Sequence, residues 1–333
     1  MGTIVQVIQI IGVFILDFRQ IKKKLFISLI LGILIVFALG IYSDFGRLID
    51  SFLHFNLWYL PLILLFAPMN YVLRYVKWSY YLKLLHIKID RRDNIKIFVA
   101  GLSMTVTPGK IGEFLKAFLI KEVTGTPISV TSPMIVVERL TDGISMIILA
   151  SIGALKFKYG LGILLASSLL VVMFIAFVRF RRFAHAVIVL LKKIPGLKRI
   201  GTQIDEFYES SYELLGIRSV LVSVGIGVVS WAFEGVVIYL TLIAFNTPVS
   251  ILSSIFIVSF ASIVGALSML PGGLLVAEGS IMGILVMMGV PKEVASAATI
   301  VTRFSTLWLG VAIGIGGLLA FQKRMGKYGA VKI

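Results

Sequence analysis

Four apolar runs, at residues 25–42, 161–178, 220–245 and 298–321, are each long enough to cross a hydrocarbon core of ~30 Å as a helix. They exclude an ordinary soluble domain. With 59 % hydrophobic and 14 % charged side chains over 333 residues, water is not the main solvent of this chain. Further apolar segments at 57–80, 94–107, 113–122, 129–153, 251–270 and 274–289 complete the pattern of an all-α polytopic membrane protein.

Two of these stretches are interrupted in the same way. Pro108-Gly109-Lys110-Ile111-Gly112 separates 94–107 from 113–122, and Pro271-Gly272-Gly273 separates 251–270 from 274–289. Proline cannot donate to a preceding helix and glycine permits a sharp reversal. The segments 95–107 and 113–122 are too short to cross singly, so the first break predicts a re-entrant hairpin whose non-helical tip is buried in protein or lines a wet cavity, and the second break reads as its counterpart.

Each break is followed by a glutamate and then by an arginine in the next apolar helix: Glu113 and Arg139, then Glu278 and Arg303. The Pro-to-Arg intervals are 31 and 32 residues, which reads as an internal repeat.

Lys and Arg cluster at the ends of the apolar runs, so the net charge of +16 is topogenic and directed at anionic headgroups, with no nucleic-acid partner implied. A cytoplasmic N-terminus leaves Arg47, Lys156, Lys158 and Lys292 outside and Arg139 and Arg303 within the membrane. The remaining basic residues then lie inside. On this map the first broken pair enters from the cytoplasm and the second from outside. The expected architecture is two inverted repeats, with about six full spans and two re-entrant hairpins, in a multi-pass protein of the cell membrane with both termini cytoplasmic.

The expected units are an interfacial N-terminal segment (1–22), a first repeat (23–160), a second repeat (161–321) carrying a cytoplasmic connector (180–218), and a cytoplasmic tail (322–333). Ile204, Phe207, Tyr208, Leu214 and Leu215 give the connector an apolar face, suited to the membrane interface or to a protein surface. Cysteine is absent and the three histidines lie far apart. No thiol chemistry, metal site or cofactor is expected.

Seven charges fall at membrane depth or at the break tips: Glu113, Glu138, Arg139, Asp142, Glu234, Glu278 and Arg303. A central charge costs roughly 2.5–3.5 kcal/mol on insertion scales, so they should face one another or a wet cavity. Glu138 and Asp142 share a helix face. One reading is a structural ion-pair network. The other is that Arg139 and Arg303 hold a phosphate, aided by the helix N-termini after Gly109 and after Gly272 and Gly273. Glu113 and Glu278 either cap free amides or act as titratable ligands. Glu234, beside Trp231, has no counterpart in the other half. Arg74, Lys77 and Trp78, with nearby tyrosines, read by default as an aromatic and basic belt at the cytoplasmic face, and otherwise as a headgroup entry site.

At Arg74-Tyr-Val-Lys-Trp78, Pro108-Gly-Lys110-Ile-Gly-Glu113, Glu138-Arg139 with Asp142, and Pro271-Gly-Gly with Glu278, the chain resembles the lysylphosphatidylglycerol synthase transmembrane domain family, also called flippase-like membrane proteins. The resemblance runs from about Lys24 to Phe321. It implies movement of a lipid between leaflets, as in the membrane half of multiple peptide resistance factors, or service to lipid-linked sugar pathways. It does not imply synthesis, because the aminoacyl transferase of the two-domain members is a separate soluble domain. Lys116 stands where the family often has Arg, and Leu275 where a further Gly is frequent.

The leading expectation is translocation of a phosphate-containing lipid by a non-enzyme, with membrane lipids, anionic or lipid-linked, as partners and a homo-oligomer allowed. Three others share the sequence: a membrane-embedded transferase using Glu138, Asp142 or Glu278 as base; a proton-coupled solute transporter using Glu113 and Glu278; and an assembly platform with inert ion pairs.

Overall fold

A computed structural model describes residues 18–154, 161–181, 184, 188–190 and 201–327. The described residues are helical and contain no strand. The interfacial segment expected at 1–22 falls largely outside them, as do much of the connector and the last residues of the tail.

The first helix, α1 (Phe18–Ser43), already contains the basic cluster Arg19 to Lys24 in its opening turns. A short helix, α2 (Phe45–Leu53), starts at Asp44, whose carboxylate accepts from the amide of Gly46 at 2.9 Å. α3 (Leu60–Leu84) opens with Pro61, a residue suited to the first turn of a helix because the missing N–H is not needed there. α4 (Arg91–Leu102) is capped by Asp90 and runs into the first break. After it come α5 (Leu115–Thr124), ended by left-handed Gly125, and the long α6 (Ile128–Ala154).

α7 (Leu161–Arg179) leads to the connector helix α8 (Gly201–Leu214), then α9 (Ile217–Ala244), α10 (Ile251–Leu267), the second break, and α11 (Val276–Met287). The last two, α12 (Lys292–Arg303) and α13 (Leu309–Lys327), are joined through a π-turn at Phe304–Trp308.

Five described stretches are long and apolar enough to cross a membrane: Phe26–Ser43, Leu57–Leu84, Gly162–Arg179, Ile217–Ala244 and Lys292–Phe321. α6, at 27 residues, has the length but carries Glu138, Arg139 and Asp142. Outward faces are apolar, with Phe26 at 63 % and Leu165 at 63 % exposure, as expected where lipid is the solvent. α8 takes the protein-surface option. Leu214 is fully buried, Tyr208 donates to the carbonyl of Val178 at 3.1 Å, and the hydroxyl of Ser129 donates to Glu206.

α3 and α9 are clasped by a reciprocal pair: Asn70 Nδ2 donates to the carbonyl of Ser230 at 3.1 Å, and Ser230 Oγ to that of Asn70 at 3.1 Å. Interhelical hydrogen bonds of this kind are worth about 1 kcal/mol in a membrane. Asn70→Ala should therefore lower the midpoint of thermal unfolding in detergent by about 2–4 °C, measured by scanning fluorimetry.

Candidate functional site

The first break is a 3-10 stretch, Pro108–Phe114, in which Gly109 (φ 56°) and Lys110 (φ 56°) are left-handed. The second, Pro271–Gly273, has Gly272 at φ 61°. Asparagine and glycine visit this region readily, whereas lysine does so at a cost, so the conformation of Lys110 is imposed by its surroundings. The two breaks touch. The amide of Gly109 donates to the carbonyl of Met269 at 3.2 Å, and a Cβ at position 272 would lie 3.4 Å from Val106 Cγ1.

Beside the first break lies a continuous ion network. Glu138 is its hub, at 0 % exposure. Its Oε1 accepts from Arg74 Nε at 3.2 Å, Arg74 Nη2 at 3.0 Å and Arg139 Nη2 at 2.8 Å, and its Oε2 accepts from Lys116 Nζ at 2.7 Å. Arg139 Nη2 also stands 3.1 Å from Asp142 Oδ2, and Asp142 pairs with Lys77 through its other oxygen. Glu113 is held less closely, with Arg74 at 3.6 Å, Lys116 at 3.5 Å and Arg139 at 3.5 Å. Lys116 Nζ in addition lies 4.5 Å from the Trp78 ring centroid, a cation–π distance.

The belt reading of Arg74, Lys77 and Trp78 is corrected by this geometry. Arg74 is 6 % exposed, and Lys77 and Trp78 are fully buried. They face the protein centre, not headgroups. The capping reading of Glu113 and Glu278 is corrected as well: neither helix start after the breaks has a side-chain cap, Glu113 sits in the 3-10 turn ahead of α5, and both carboxylates are committed to cations.

The network holds four cations, Arg74, Lys77, Lys116 and Arg139, against three carboxylates, Glu113, Glu138 and Asp142. The most accessible member is a cation. Arg139 is 23 % exposed, while the other six are at most 7 %. Arg139 Nε has no hydrogen-bond partner.

Beside the second break stands a separate pair. Arg303 donates from Nε to Glu278 at 2.5 Å and from Nη2 to the carbonyl of Gly272 at 2.8 Å. The other oxygen of Glu278 has no partner.

Between the two assemblies is a cavity of about 360 Å³ lined by residues from both breaks, Gly109, Lys110, Gly272 and Gly273, and by Arg74, Arg139, Asp142, Glu234 and Arg303. Glu113, Glu138, Glu278, Lys116 and Trp78 stand behind its wall. Lys110 and Glu234 line it without an ion pair to any described residue. Apolar Met146, Leu170, Ile263 and Leu307 also line it, so charged and apolar walls adjoin. No group of three or more His, Cys, Asp or Glu suited to a metal occurs among the described residues.

Apolar spanning helices around a buried charged centre and a cavity define a polytopic helical membrane protein. The chain belongs to the lysylphosphatidylglycerol synthase TM region family, whose model matches residues 29–314. A UPF0104 membrane protein of Methanothermobacter thermautotrophicus is 22 % identical over 325 residues, covering 90 % of this chain and 96 % of the relative. A second from the same organism is 20 % identical over 344 residues, covering 92 % and 96 %. One from Methanocaldococcus jannaschii is 21 % identical over 327 residues, covering 90 % and 96 %.

Proposed function

We propose that the protein moves a phosphate-bearing lipid, or a lipid-linked headgroup, between leaflets of the cell membrane. The observation that carries this reading is the cavity where both breaks meet, with Arg74, Lys110, Arg139 and Arg303 on its walls. Guanidinium groups match phosphate in geometry and charge. The apolar part of the same lining gives acyl chains or a prenyl chain a compatible surface.

In this reading the two broken segments are re-entrant hairpins of inverted repeats, the termini are cytoplasmic, and transport proceeds by gating one half against the other around a fixed site. No covalent bond is made or broken. Support for the repeat lies in the closely matched offsets of Arg139 and Arg303 from their breaks, 31 and 32 residues, and in the left-handed glycine at each tip.

Vesicles containing the purified protein and a fluorescent phosphate-bearing lipid test this. Dithionite should bleach the probe far beyond the half reached in protein-free vesicles. Bleaching equal to that of protein-free vesicles, across anionic and lipid-linked phosphate probes, would overturn the reading.

Glu234 supplies a test of sign. Its carboxylate faces a cavity proposed to hold an anion, so Glu234→Gln should tighten binding of phosphatidylglycerol by about 3- to 10-fold, the effect of removing one like charge at moderate effective dielectric. Titration in detergent by native mass spectrometry reads this directly. Weaker binding in the variant would instead mark Glu234 as a ligand of a positive group.

A further inference from the structure

The join between α12 and α13 is not a regular helix. At Phe304–Trp308 the chain makes a π-turn, with the amide of Leu309 bonded to the carbonyl of Phe304. Such turns insert one extra residue and need a local cause. The cause here comes from α3. The hydroxyl of Tyr71 donates to the carbonyl of Thr306 at 2.5 Å, taking the acceptor that a regular helix would give to the amide four residues on, at Gly310.

Gly310 itself lies against the same phenol. Position 310 must be glycine for this approach: a Cβ there would stand 2.6 Å from the Tyr71 hydroxyl and 2.8 Å from its ring. The phenol is thus wedged into the hydrogen-bond ladder of another helix, 235 residues away.

The residue immediately before the π-turn is Arg303. One residue more or less in a helical turn rotates everything on one side of it by ~100° relative to the other. α13 is held against α4, where a Cβ on Gly314 would strike the backbone of Ser103 at 2.1 Å, and α12 is packed on α11 and α2, so the π-turn between them sets how Arg303, the last residue of α12, is turned relative to α13. Resting on the proposed binding of a phosphate in this cavity, we infer that Tyr71 is a positioning residue for Arg303: its hydroxyl holds the π-turn open and so aims the guanidinium at Gly272, Glu278 and the cavity. Arg74 lies three residues after Tyr71, on the same face of α3. The wedge therefore fixes the arginines of the two assemblies relative to one another.

Tyr71→Phe removes the hydroxyl and little else. Two measurements separate this inference from the transport reading. In ¹⁵N spectra of arginine Nε groups, the resonance that disappears in Arg303→Lys reports the short bond to Glu278. It should move clearly in Tyr71→Phe, and also in Gly310→Ala, which displaces the ring by another route. An unmoved resonance in both variants overturns the inference whatever the protein transports.

The second measurement is binding of phosphatidylglycerol by native mass spectrometry. Tyr71→Phe should weaken it by about tenfold, the scale of one charge-assisted contact, and should add less than about twofold in an Arg303→Ala background, because residues acting through one another are non-additive. A full tenfold loss in that background means Tyr71 touches the ligand itself, which also overturns the inference. Absence of binding in the unsubstituted protein counts against the transport reading, while the Arg303 resonance still decides the role of Tyr71.

Discussion

Replacing Glu138 by Gln is expected to destabilise the folded protein by about 3–5 kcal/mol, the scale observed when one member of a buried ion pair is removed and its partner left behind. Glu138 accepts four hydrogen bonds from three cations. The amide that replaces it carries no charge, and half of it donates. Arg74 and Lys116, buried in a low dielectric, then retain only Glu113, whose closest oxygen is 3.5 Å or more from each. Desolvation of both cations remains in force while most of the compensating attraction is gone. The midpoint of unfolding in detergent should fall by about 10 °C, with much less folded protein recovered.

The paired variant Glu138→Gln with Arg74→Gln should lose less than the two single variants together, since each removes the other's stranded partner. A Glu138→Gln protein unfolding within about 2 °C of the original would show that the network contributes little to stability.

The hub was visible in the sequence because a helix carrying Glu138, Arg139 and Asp142 among apolar neighbours has no inexpensive place for them facing lipid. The breaks were visible for an equally local reason: Pro-Gly pairs inside apolar runs end helices whatever surrounds them. Arg74 and Lys77 were another matter. A basic residue near the end of a span has the same sequence signature whether it reaches headgroups or turns inward. Which of these occurs depends on what packs against that face of α3, here α5 and α6, and no local pattern encodes it.

Lys116 shows a related limit. On its own helix it is one of two lysines, and only the fold places it between Glu138 and Trp78. The wedge of Tyr71 into the helix after Arg303 joins residues 235 apart, and a Gly among many in α13 gives no sign of it. Glu234 stood out in the sequence as the charge without a counterpart in the other half, and it lines the cavity without an ion pair among the described residues.

Arg139→Ala should have the opposite profile to Glu138→Gln, and the reason is charge balance. Removing Arg139 leaves three cations with three carboxylates, so no buried charge is stranded. Glu138 keeps Arg74 and Lys116, and Asp142 keeps Lys77. Thermal stability should shift by no more than about 3 °C. The cavity, by contrast, loses its most accessible network guanidinium and the unpartnered Nε donor. A guanidinium–phosphate contact is worth about 2 kcal/mol, so lipid movement in vesicles should fall by roughly 30-fold. Lys at this position should restore only part of the rate, because a point charge cannot reproduce a two-pronged donor. If instead Arg139→Ala unfolds as readily as Glu138→Gln while the surviving protein moves lipid at full rate, Arg139 belongs to the scaffold, and the anion must be held by Lys110 and Arg303 across the cavity.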